Sequence, residues 1–210
     1  MTHNLHRMGT REDLQHDWVV LMVTTVGVNI DHSKAKLIRF YQICQEHNAV
    51  SMGESHGGNN IVKTTEALFE ALPENISCGQ ATFDNEEDVA AVLKVLKKEE
   101  LGISIVVSGL IDEVDHMCRA IGTTHHTVSN SLGIWGNTKK LPPPQILAVT
   151  TMCGHGLVAS ALVEDMVAQI RKGRRTAEEA AWEMAKDCVC GSFNPHRAAR
   201  LLQAMADQPD

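Results

Sequence analysis

Hydrophobic and polar positions follow three rhythms along this chain, and each change of rhythm marks an element. Trp18–Val23 is an unbroken apolar run rich in β-branched residues, which predicts a strand buried on both faces. Behind the capping candidates Asp31, His32 and Ser33, the residues Leu37, Ile38, Tyr41, Ile43 and Cys44 give an apolar helix face to about Glu46. Ser51–Asn60 then loses all period; polar and Gly-rich, it predicts an irregular binding loop. A short helix from Thr65 to Leu72 stops at Pro73, and Ile76–Phe83 reads as a strand interrupted at Cys78–Gly79. Glu86 to Glu100 carries a helical stripe of Val89, Val92, Leu93 and Leu96, with acids in the first turn and lysines near the end. Ile103–Val107 predicts a strand, and Ile111, Val114, Cys118 and Ile121 predict a helix. His125–Trp135, alternating about Val128, Leu132 and Ile134, predicts a further strand.

This order predicts an α/β fold, mainly one sheet with covering helices over residues 18–135, preceded by a polar segment, 1–17. The pattern does not set the strand order. Trp135–Leu141 and the run Pro142-Pro143-Pro144 form a stiff connector, so an α/β domain (18–141) is expected to precede a helical, cysteine-bearing subdomain (142–210). In the latter, one amphipathic helix ends at Gly173. Thr176 with Glu179 is a capping box opening the next, and Asn194–Pro195 opens the last.

Composition narrows the chemistry. A formal charge of -7 over 210 residues argues against nonspecific nucleic-acid binding, which rests on basic surface. No run approaches the roughly 20 apolar residues of a membrane span, and Met1–Asp17 has no apolar signal-peptide core, so a cytoplasmic location is expected. Thiols stay reduced there, and six cysteines read as ligands, nucleophiles or core fillers. Cys44 and Cys118 lie on apolar helix faces and read as core.

The other readings concern Cys153, Cys188 and Cys190. All three sit at helix boundaries beside Gly154, Gly156 and Gly191, where backbone N–H groups can stabilise a thiolate or a cluster that it ligates. The two helices joined by the Lys172–Arg175 turn should pack antiparallel and bring Cys153 near Cys188. Three thiolates suit a [4Fe-4S] cluster with one open iron, acting as a Lewis acid on a small polar substrate in a lyase, hydratase or desulfurase reaction. A zinc ion held by Cys153, His155, Cys188 and Cys190 is the alternative, suited to a structural site in a binding or regulatory module. Separately, Met152-Cys153-Gly154-His155-Gly156 and the helix after it resemble the segment around a catalytic cysteine in proline racemases and hydroxyproline epimerases. That resemblance implies metal-free acid/base chemistry, with Cys153 abstracting an α-proton and Cys188 or Cys190 as its partner.

A substrate needs polar groups around it. Glu54 and His56 in the Gly-rich loop, with His125 and His126 ahead of the Ser/Asn-rich strand, are the acid/base candidates. Asn59, Asn60, Ser129 and Ser131 are the hydrogen-bonding candidates, and Arg197 is a candidate for a substrate carboxylate. The same pattern is compatible with a homo-oligomer.

Overall fold

The computed structural model describes residues 7–208 of the chain. These form a five-stranded antiparallel sheet with helices on it. The strands are β1 (Trp18–Val23), β2 (Ser51–Glu54), β3 (Gly58–Asn59), β4 (Cys78–Phe83) and β5 (Ser104–Ser108), in the order β3-β2-β4-β1-β5. α1 (Arg11–Leu14) precedes β1, and between the strands lie α2 (Lys34–Glu46), α3 (Thr65–Ala71) and α4 (Glu86–Glu99). After β5 come α5 (Ile111–Ala120), α6 (Pro144–Thr150), α7 (Ser160–Arg171), α8 (Ala177–Ala185) and α9 (Pro195–Ala206). Two β-α-β units, β1-α2-β2 and β4-α4-β5, are interleaved, so each helix connection skips one strand and neighbouring strands run antiparallel. No helix among the described residues is long and apolar enough to cross a membrane.

Two positions of sequence logic are corrected here. The stretch Ser51–Asn60 is not a loop but a strand hairpin, β2 and β3. Its polar residues hid the strand because one face of β2 meets protein backbone instead of an apolar core. Conversely, no strand forms at His125–Trp135. An alternating sequence supplies a strand's side chains but not a neighbouring strand to bond with.

The two sheet faces differ in chemistry. Trp18, Val20, Met22, Met52, Ala81 and Phe83 point to one face and form a closed apolar core with α2 to α5. Registers put Val19, Leu21, Ser51, Gly53, Gln80 and Thr82 on the other face. A second apolar cluster, built on α6 to α9, holds Met152, Val163, Ala181, Met184, Phe193 and Leu202 together with the three cysteines. α9 packs against α6, α7 and α8, and its N-terminal segment reaches the polar face of the sheet. Of the polar segment 1–17, residues 1–6 lie outside the described part.

Candidate functional site

The structure brings Cys153, Cys188 and Cys190 to one buried point. Cys153 lies in a turn after α6, its N–H bonded to the Thr150 carbonyl, and not directly before α7 as its sequence context suggests. The N–H groups of Leu157 and His155, in the same turn, bond to its sulfur. Cys188 ends the turn after α8, and Cys190 stands 3.9 Å from it, sulfur to sulfur. The Ser192 hydroxyl lies 3.6 Å from the Cys188 sulfur and 3.4 Å from that of Cys190. His155 Nδ1 is 3.5 Å from the Cys190 sulfur, and the His155 side chain sits at the surface above it.

These contacts make a graded relay. Cys153 donates to Cys188, and this bond with burial holds its thiol far above the ordinary cysteine range. Cys188 gains from that donation, but its own donation to Cys190 and its burial outweigh the gain and raise it. Cys190 is the acceptor at the end of the line. Cys188, then the hydroxyl and N–H of Ser192, overcome burial and lower it to about 7.

The polar face of the sheet is the cradle for this loop. Asn59 Nδ2 donates to the Cys188 carbonyl at 2.9 Å and Gln80 Nε2 to the Cys190 carbonyl at 2.8 Å. Ser51 and Thr82 hydroxyls reach the Gly191 carbonyl at 2.7 and 2.9 Å. Arg7 binds the Ser192 carbonyl and, at 3.2 Å, the Met152 carbonyl, so the N-terminal segment joins both cysteine-bearing turns. Ser51, Gln80, Thr82, Ser192 and Arg7 were not candidates from the sequence. The available signal was the polar position recurring at every second residue of β4.

The predicted partners scatter. Glu54 points to the opposite, helix-covered face, where it accepts from the N–H groups of His56 and Gly57. His56 lies 3.2 Å from that carboxylate and faces solvent. Asn59 is at the site, as a backbone anchor; Asn60 Oδ1 accepts from Met52 N at 2.8 Å, fixing the hairpin. His125, His126, Ser129 and Ser131 line a separate cleft beside β5 that none of the three site cysteines lines. Arg197 is fully buried and committed to Asp13, Asp17 (2.6 Å) and the Met8 carbonyl, so its role in the structure is to hold the N-terminal segment.

Among the described residues no group of three or more His, Cys, Asp or Glu is placed to hold a metal ion; the thiols are held by hydrogen bonds. Two edges of the cluster nonetheless have metal-site dimensions. Tetrahedral zinc implies roughly 3.8 Å between two sulfurs and about 3.5 Å between sulfur and imidazole nitrogen, against 3.9 and 3.5 Å here. No family model, curated protein or solved structure matches the chain.

Proposed function

We propose that the protein binds one thiophilic metal ion of the zinc type through Cys153, Cys188 and Cys190, with His155 as fourth ligand. The observation that carries this reading is the convergence of three thiols, from turns 35 residues apart in sequence between Cys153 and Cys188, on one buried point. The ion would tie the α6–α9 cluster to the sheet face beneath it, the role of a closed structural site in a binding or regulatory module.

The [4Fe-4S] expectation uses the same three cysteines, but there each thiolate sits on its own iron, farther apart than two ligands of one ion. The 3.9 Å separation of Cys188 and Cys190 favours the single ion. Lewis-acid chemistry on a substrate also needs acid/base groups, and Glu54, His125 and His126 face elsewhere. The racemase reading needs two cysteines with an α-carbon between them; Cys153, Cys188 and Cys190 are all buried, and Cys188 and Cys190 stand 3.9 Å apart, sulfur to sulfur, which favours one shared ion over two opposed bases.

The test is purification without oxygen, followed by metal and sulfide assay with a visible spectrum. One zinc per chain, lost in Cys188→Ser and Cys190→Ser, is the expected result. Iron and sulfide in equal amounts with broad visible absorption would replace the ion by a cluster on the same residues. A protein that takes up neither metal, even when zinc is offered after reduction, overturns the proposal.

A further inference from the structure

The loop seated on the sheet carries two thiols one residue apart, in Cys188-Val189-Cys190. Their sulfurs stand 3.9 Å apart, and a disulfide holds them at about 2.05 Å, so roughly 1.9 Å of approach would join them. Cys153 shares their apolar cluster. The other cysteines lie elsewhere: Cys44 packs in the core on the opposite sheet face, Cys118 lines the cleft beside β5, and Cys78 opens β4 against Val23.

The pair is buried, but close beneath the surface. Gly154, His155, Gly156 and Leu157, in the turn that follows Cys153, are all exposed. From that turn the His155 ring comes within 3.5 Å of the Cys190 sulfur, and around Gly156 nothing lies within 4 Å of where a Cβ would stand. A small neutral oxidant entering there meets Cys190 first. The Cys188 sulfur contacts Cys190 and the fully buried Ser192.

We propose that Cys188 and Cys190 are a reversible oxidation site for hydroperoxides, in which Cys190 is oxidised and Cys188 resolves it. The Cys190 sulfur takes one peroxide oxygen as the O–O bond breaks, giving a sulfenic acid and releasing water from hydrogen peroxide or an alcohol from an organic peroxide. The Cys188 sulfur then attacks that sulfur; the S–O bond breaks, and the departing hydroxyl leaves as water with the Cys188 proton. Two thiols and one hydrogen peroxide thus give one disulfide and two waters, the two electrons coming from the sulfurs. A dithiol reductant restores both thiols. The bridge closes against resistance, because Asn59 and Gln80 hold the carbonyls of Cys188 and Cys190, and Ser51 and Thr82 hold that of Gly191. Strained disulfides are the easily reduced, regulatory ones. The inference stands on the spacing of the thiols and does not rest on the metal reading; an ion bound there would lose two ligands on oxidation.

Peptide mapping tests this directly, since trypsin cleavage after Lys186 and Arg197 puts Cys188 and Cys190 on one peptide and Cys153 on another. The full chain is treated with a small excess of hydrogen peroxide, unfolded, alkylated and digested without reductant. Peptide 187–197 should appear unalkylated and lighter by two hydrogens, with Cys44 alkylated as in the untreated protein. Dithiothreitol before alkylation should return both thiols. Cys153→Ser should leave this result intact, and Cys188→Ser should leave Cys190 as a sulfenic acid that dimedone traps. Both thiols still open to alkylation after peroxide would overturn the proposal, as would Cys188 bonded to the Cys153 peptide, or a sulfinic acid that dithiothreitol does not reverse. Zinc measured on the same sample separates the two readings. A chain without zinc that forms the disulfide supports this proposal while the metal reading fails; a zinc-bound chain that forms none overturns it while the metal reading stands.

Discussion

Gly191 and Gly156 share a backbone φ of 69° yet differ in surroundings. A Cβ on Gly191 would lie 2.5 Å from the carbonyl carbon of Met52 and 2.8 Å from Gly53 N; around Gly156 nothing lies within 4 Å. Gly156→Ala therefore meets only the left-handed backbone, about 1 kcal/mol. Gly191→Ala adds a clash with β2 backbone that cannot rotate away, and should cost roughly 2–4 kcal/mol in urea unfolding. Equal losses for the two would show that the loop does not seat against β2 as described. The sequence marks both glycines as neighbours of cysteines and suggests N–H to sulfur bonding as the reason. The Gly191 reason lies across the sheet in Met52 and Gly53, at a sequence distance no local pattern spans.

The legible elements are those whose signal is their own: α4 with its apolar stripe, the Thr176–Glu179 capping box, the Asn194–Pro195 start of α9. Those misjudged depend on a partner. β2 was hidden because Ser51 and Gly53 face the cysteine loop and not a core, and 125–135 was overread because its neighbour is absent. The paired strands β2 and β4 show how a polar strand face works energetically. Ser51 and Thr82 both donate to the Gly191 carbonyl, so either alone leaves that buried oxygen satisfied. Ser51→Ala and Thr82→Ala should each cost about 1 kcal/mol. The double variant strands the carbonyl and should cost more than the sum by about 1–2 kcal/mol. A double-mutant cycle in urea gives this coupling directly, and strict additivity would mean that water replaces the hydroxyls.

At the scale of the whole molecule, a buried charge network closes the structure around the cysteine site. Asp17 is buried and held by Arg7 on one oxygen and Arg197 on the other; Arg197 also binds Asp13, and Arg7 reaches the carbonyls of Met152 and Ser192. Two cations and two anions balance, linking the N-terminal segment, the start of β1, α9 and both cysteine-bearing turns. Nothing in the sequence pairs these residues, since Asp17 and Arg197 are 180 positions apart. The arrangement differs in kind from the Arg39–Glu99 pair, whose groups keep contact with water. Removing one partner of a buried network leaves an uncompensated charge, so Arg197→Met should cost on the order of 3–5 kcal/mol. Arg39→Ala, a solvent-screened loss, should shift the unfolding midpoint little. The same change at Arg197 frees Asp17 and slackens Arg7, which holds the carbonyls just before Cys153 and just after Cys190. If the protein binds zinc as proposed, that zinc should therefore pass to a chelator faster in Arg197→Met than in wild type, at a temperature where both remain folded by circular dichroism. If release is unchanged while stability falls, the network holds the fold without holding the site, and the coupling argued from Arg7 is wrong.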